Sequence, residues 1–253
     1  ARAEGLFTVT APPTPTRGFP GTHVMTICDA SGSVDCLYRP ALPNTEWLLP
    51  SMGENVFALL YRAENRFGLP YWRVERLIPP RVETTMQGIL RERCPKPEWI
   101  SALGYMIDRS IHSETVVGFL QSIFNQREIM EPFLRFGASS YVHHCEAGGL
   151  FAHSVKAAVL LAQIADEATS PLERDCCIVG MLLHDIGKIA PVFSRTELLR
   201  SKDHPFLIDM ILSYPLEILR IVDQPAWEIM HYVFGVIAGN YDDSRIPLTK
   251  FIR

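Results

Sequence analysis

Met181–Pro191 reads MLLHDIGKIAP. Three apolar residues run into His184-Asp185, and Ile186-Gly187-Lys188 follow at once. Placing an imidazole and a carboxylate at the end of an apolar segment costs desolvation energy unless a partner or a cation offsets it. A bound metal ion is the economical solution, since both groups are metal-ligand types. The run itself closes a segment, Pro171–His184, with the length and apolar content of a buried helix, so the fold around it is expected to be helical.

Further candidate ligands lie on either side of this pair in the sequence. His153 lies early in an expected helix, Gly149–Glu167, whose head carries Gly148-Gly149, a pair that permits tight backbone approach. His143, His144, Cys145 and Glu146 come just before it, His204 follows Asp203, and His231 sits within the apolar Trp227–Val236. A mixed His/Asp set without thiolate argues against a structural zinc finger and for a catalytic centre with exchangeable waters. The carboxylate favours a hard ion such as Mn²⁺ or Mg²⁺, with Fe²⁺, Ni²⁺ and Zn²⁺ as alternatives. Plainer roles stand beside these. His153 is also a reasonable helix-start residue, His204 before Pro205 a turn residue, and His231 a satisfied core histidine. Lys188 is placed either to stabilise developing negative charge on a substrate or to interact with a helix C-terminus.

Helical spacing extends through the second part of the chain. Pro97 suits a first helical position, and Ile100, Leu103, Ile107 and Ile111 repeat at helical intervals. Ser113 can cap the next helix, and further helices are expected at Ile129–Arg135, Thr196–Arg200, His204–Ser213, Leu216–Val222, Ala226–Ala238 and Leu248–Arg253. No strand pattern interrupts them, so residues 82–253 are expected to form an all-α domain.

Residues 1–81 read differently. His23–Asp29 and Ser33–Tyr38 flank Ala30-Ser31-Gly32, a hairpin signal. Asn55–Arg62 and Leu69–Leu77 form a second pair around Asn65-Arg66-Phe67-Gly68, and Leu6–Thr10 adds a fifth strand. Five short strands with Pro/Gly-rich connections suit a small barrel, and their order is OB-like. An OB-type face binds single strands by stacking and backbone electrostatics. Its candidates here are Tyr38, Arg39, Tyr61, Arg62, Tyr71, Trp72 and Arg73, although aromatic residues in strands also serve the core. The expected architecture is therefore α+β and multidomain: a small β-barrel over 1–81 and a helical bundle over 82–253.

Composition sets outer limits. At 47% hydrophobic, 21% charged and a mean hydropathy of +0.08, the 253 residues are globular rather than disordered. The net charge of −4 gives no global attraction for polyanions. It divides unevenly: 1–81 carry eight Arg against seven acids, whereas 82–253 carry sixteen basic and twenty-one acidic residues. Six scattered Cys without a CxxC pair read as reduced thiols, hence a cytoplasmic protein. No signal peptide or apolar run of membrane-spanning length is evident, so no membrane association is expected.

GGLFAHS with His153, 31 residues before the His184 of LLHDIGK, resembles the HD superfamily of metal-dependent phosphohydrolases. That resemblance implies an α-bundle in which His153, His184 and Asp185 hold a first metal together with a later Asp, while His204 and His231 serve a second. The order YVHHCEAGGLFAHS then HDIGK, after a barrel, is similar to YhaM-type 3′→5′ exoribonucleases, which join an OB domain to an HD domain. A more distant likeness is to the HD relaxase domain of conjugative elements. Two positions depart from the pattern. The final Asp ligand would follow Leu248–Arg253, and Asp242 and Asp243 are the last acids given. Val236-Ile237-Ala238 stands where the exoribonuclease pattern has a His pair, so one metal is expected to dominate.

The resemblance implies a metal-dependent 3′→5′ exonuclease or phosphodiesterase acting on single-stranded nucleic acid, RNA rather than DNA by preference. Asp185 would ligate the metal and orient the nucleophile, Lys188 would stabilise the growing negative charge, and His143 and His144 would contact the scissile phosphate or protonate the leaving oxygen, or else shape their loop. The alternatives are a nucleotide phosphohydrolase, a relaxase-like DNA-processing protein with a Tyr nucleophile such as Tyr105 or Tyr141, and a binding protein with a degenerate metal site. Self-association is a further expectation.

Overall fold

A computed structural model describes the protein except for residues 18–19, 43–45, 90, 139–144, 166–169, 193–206, 244 and 252–253. A closed five-stranded barrel occupies the N-terminal region, and a helical bundle follows it. The strands are β1 (Arg2–Pro15), β2 (His23–Asp29), β3 (Gly32–Tyr38), β4 (Asn55–Glu64) and β5 (Pro70–Ile78). Their order around the barrel is β1-β2-β3-β5-β4, all antiparallel except the β3–β5 pair, which is the closure expected of an OB-like barrel.

Alternation explains why these segments pair as they do. Val56, Ala58 and Leu60 of β4 are buried with Met25 and Ile27 of β2 and Cys36 of β3, while the intervening residues point outward. The long β1 serves two neighbours: Arg2–Thr8 pair with β4 and Thr8–Pro15 with β2, with register shifts beyond Val9. Such irregularities bend a strand and allow a short sheet to close. The β2–β3 turn is fastened by Asp29, whose Oδ1 accepts hydrogen bonds from Ser31 N at 2.7 Å and Ser31 Oγ at 2.5 Å. Gly32 follows with φ of +139°, a conformation that excludes most side chains.

Helix α1 (Pro80–Glu83) is a single turn, and turns follow it as far as Ile89, so the continuous helical character expected from Val82 begins only at α2 (Pro97–Ser110). Residues 96–108 are compact with the barrel: one unit comprises 1–84 and 96–108, the other 85–95 and 109–253. The division is thus not a single cut between 81 and 82. Buried Ser101 explains the placement, because its Oγ accepts a hydrogen bond at 2.9 Å from Leu77 N at the end of β5.

The second unit contains α3 (Glu114–Phe124), α4 (Arg127–Arg135), α5 (Gly149–Ile164), α6 (Pro171–Leu183), α7 (Ile208–Ile211), α8 (Ser213–Val222) and α9 (Gln224–Ile237). Ser113 caps α3 as expected, with Val116 N donating to its Oγ. The buried carboxylate of Asp175 reinforces that cap by accepting from His112 N and Ser113 N, both at 2.7 Å, and so ties α6 to the start of α3. α6 opens with a capping box between Ser170 and Glu173. It lies against α5 and α9, and Gly180 permits the second approach: a Cβ there would collide with Val233 Cγ1. Cys177 and Met181 of α6 join Val233 and Val236 of α9, Ile246 and Leu248 in one apolar cluster. The C-terminal segment expected as an α-helix is a 3₁₀ stretch, Pro247–Phe251. The expected helix 196–200 and the first residues of 204–213 lie outside the described residues. No described helix is long and apolar enough to cross a membrane.

Candidate metal centre and arginine basin

Two helix ends create the first site. α5 begins at Gly148, whose φ of +76° places it in the left-handed region, and the peptide amides around it are fixed by the end of α4. Gly148 N donates to Arg135 O at 3.0 Å and Leu150 N to Phe136 O at 2.9 Å. His153 therefore sits one turn beyond an anchored helix start. His184 caps the C-terminus of α6, and Asp185 is the next residue.

The three side chains converge. One ligand atom from each of His153, His184 and Asp185 lies within 4.8 Å of the others. His184 Nε2 is 3.3 Å and His153 Nε2 3.5 Å from Asp185 Oδ2, and the imidazole centroids are 5.2 Å apart. His184 Nδ1 is 2.7 Å from Met181 O. A carbonyl can only accept, so Nδ1 carries a proton, and in the neutral ring the lone pair is left on Nε2, on the side of Asp185. This is the orientation a metal-ligating histidine needs, enforced by its own helix. Asp185 is 4% exposed, and Lys188 Nζ donates to its Oδ2 at 2.6 Å. Two neutral-capable imidazoles and a carboxylate, with their lone pairs gathered in one place, suit a divalent cation that keeps open coordination positions.

The remaining metal and catalytic candidates fare differently. His231 does not join this group. It lies on α9 beside the rings of Trp227 and Tyr241, at centroid distances of 5.3 and 6.2 Å, because a helical spacing of four stacks it on Trp227. The main chains of Asp242 and Asp243 accept from Tyr232 Oη and Thr249 Oγ1, and neither carboxylate is in the group. His143, His144 and His204 lie outside the described residues, as does Tyr141. Tyr105 is fully buried.

The second site is on the barrel unit. Arg39, Tyr61, Arg62 and Arg73 line one concavity of about 780 Å³. Arg2, which the sequence did not single out, completes it, and Glu75 and Glu98 are the acids present. Strand register explains the convergence: Arg2 pairs with Tyr61 across β1–β4, and Tyr61 with Arg73 across β4–β5, so the three stand in one row on the outer face. The Arg73 guanidinium lies 5.9 Å from the Tyr61 ring centroid, within cation–π range. Among the described residues, no ion pair joins these four arginines to a carboxylate, which leaves their charge directed at solvent. Tyr71 and Trp72 line a separate, smaller cleft. Tyr38 belongs to neither. It is 4% exposed, on the inward side of β3, and burial pushes its hydroxyl above the ordinary range while Ser101 hydrogen-bonds it. A residue expected on the binding face is thus part of the core, because the β3 alternation puts Cys36 and Tyr38 inside.

Residues 150–231 match the family model described as HD domain, which supports HD-superfamily membership for that segment. HD domains are typically metal-dependent phosphohydrolases and bind divalent metals, in keeping with the His153–His184–Asp185 group. No curated protein and no solved structure matches the chain.

Proposed function

We propose that the protein is a metal-dependent phosphodiesterase that shortens single-stranded nucleic acid from its 3′ end, RNA in preference to DNA, with Mn²⁺ as the metal. One observation carries the choice of a strand over a small nucleotide: a chain with an HD-type ligand group also holds four unpaired arginines and a tyrosine in one basin. Successive phosphates along a strand are the natural partner for such a cationic surface, and a base can stack on Tyr61. The direction of attack follows the likeness to OB–HD exoribonucleases. In this reading residues 1–81, extended by α2, hold the strand, and the remainder of 82–253 performs hydrolysis.

At the metal centre, His153, His184 and Asp185 would hold the ion, which supplies Lewis acidity toward a phosphoryl oxygen. His184 is kept in the ligating tautomer by Met181 O. Lys188 holds the Asp185 carboxylate in place and brings positive charge where a phosphoryl group gains negative charge. His143 and His144 are assigned to the phosphate or the leaving oxygen, and His204 to a second ion.

The test is release of mononucleotides from 5′-labelled single strands with Mn²⁺, after EDTA treatment and metal readdition. A ladder shortening from the 3′ end supports the proposal. Hydrolysis of free nucleotides without shortening of strands would replace it with a nucleotide phosphohydrolase.

A further inference from the structure

The smaller cleft on the barrel unit has a volume of about 230 Å³ and is lined by Val24, Leu37, Tyr71 and Trp72, with Asp35 and Asn65. Ligand pockets for drug-sized molecules run to about 300–1,000 Å³, so this one fits a single ring system. It adjoins the arginine basin. Trp72 of the cleft pairs across β4–β5 with Arg62 of the basin, and Arg73, next along β5, pairs with Tyr61. Directly opposed residues on paired strands lie about 5 Å apart.

The hydrogen-bonding state of its two polar residues is fixed by the fold. Asn65 Oδ1 accepts from Phe67 N at 2.9 Å and Leu69 N at 3.0 Å. Two backbone donors settle which end of the amide is oxygen, and Nδ2 is left as a donor. Asp35 Oδ1 accepts from Thr26 Oγ1 at 2.6 Å, and Oδ2 is left as an acceptor. The cleft therefore offers aromatic walls, one neutral donor and one anionic acceptor.

We propose that this cleft seats one base of the bound strand and selects a base with an exocyclic amine beside a ring-nitrogen acceptor, cytosine or adenine, against uracil and thymine. The inference rests on the strand-binding reading above. Cytosine meets both groups: its N4–H donates to Asp35, and its N3 accepts from Asn65 Nδ2. Aspartate accepting from cytosine N4 is a recognised pairing. Uracil carries a carbonyl on each side of its single ring N–H, so any approach of that N–H to Asp35 brings an oxygen toward the carboxylate. Cytosine and uracil have the same ring size, which separates this electrostatic choice from fit. The arginines next to the cleft hold the flanking phosphates without regard to sequence.

The experiment is fluorescence anisotropy of the 253-residue protein with oligocytidylate, oligoadenylate and oligouridylate of about 15 nucleotides, near the upper end of OB-fold site sizes. Cytidylate and adenylate are expected to bind about tenfold more tightly than uridylate. Asp35→Asn keeps the acceptor for Thr26 but turns the free group into a donor that opposes cytosine N4–H, and should abolish the preference for cytidylate over uridylate. Asn65→Asp keeps the acceptor for both backbone amides but removes the donor, and should weaken cytidylate binding about tenfold. Equal affinity of the wild-type protein for the homopolymers would overturn base selection while leaving strand binding intact. Failure to bind any homopolymer would overturn both. An undiminished cytidylate preference in folded Asp35→Asn would also refute the assignment.

Discussion

Replacing Asp185 with Asn tests the metal centre at its focal atom. Asp185 Oδ2 is approached by Lys188 Nζ at 2.6 Å, His184 Nε2 at 3.3 Å and His153 Nε2 at 3.5 Å. The amide keeps the shape of the carboxylate and removes its charge, so two effects separate. Without metal, the variant loses a charge-assisted hydrogen bond of about 1.5–3 kcal/mol gross. Lys188 is 27% exposed and can turn to water, which brings the net cost to about 1 kcal/mol. With metal the difference grows. A ligand at a hundred times its dissociation constant stabilises the native state by about 2.7 kcal/mol. For a unit the size of the helical bundle, at about 2–4 °C per kcal/mol, the wild-type melting temperature should rise by about 5–10 °C on adding Mn²⁺. The variant should rise by little or nothing. The assay is thermal unfolding followed by circular dichroism, after EDTA treatment, across a Mn²⁺ titration. Equal metal-induced shifts in the two proteins would refute the assignment of Asp185 as a ligand.

Further outcomes are expected elsewhere. Gly180→Ala should destabilise the bundle by about 1–3 kcal/mol from overpacking, less the roughly 1 kcal/mol that alanine gains in helix propensity, and Val233→Ala should relieve the clash in the double variant; a urea-denaturation cycle showing strict additivity would contradict the close approach of α6 and α9. Arg39→Ala and Arg73→Ala should weaken all single strands alike and lower the salt slope by about 0.7 for each lost phosphate contact, checked by binding titrations at several salt concentrations. Burial pushes the Cys36 and Cys177 thiols from 9.0 up to about 12. Between those values the unfolded thiol has lost its proton and the folded one retains it, so stability falls as pH rises above about 9, by about 1.4 kcal/mol per pH unit per thiol. Chemical denaturation of Cys36→Ala and Cys177→Ala over that range should show a shallower decline than the wild type.

Much of the candidate site was legible because the residues that could hold a metal come from local sequence. His184 and Asp185 are neighbours at a helix end, and His153 follows a glycine pair whose conformational meaning does not depend on context. The donor set was therefore readable from MLLHDIGKIAP and GGLFAHS. The hairpin at Asp29–Gly32 was legible for the same reason, since an Asx turn closes within four residues. His231 could not be placed this way. Whether a histidine on an apolar helix faces a metal or two aromatic rings depends on how that helix is rotated, and only packing sets the rotation.

The barrel makes the same division plainer. Alternating apolar residues determined that strands would form, and the spacing of turns determined about five of them. Register decided the rest. A shift of one residue exchanges the inner and outer faces of a strand, so composition could not say that Tyr38 goes to the core while Tyr61 goes out. Nor could it bring Arg2 beside residues about sixty and seventy positions away. The candidate donor set of residues 150–231 and the two kinds of secondary structure can be read from local pattern alone. Which arginines share a basin, and which aromatic residues wall the cleft beside it, follows from barrel closure, which sets strand partners that no local pattern encodes.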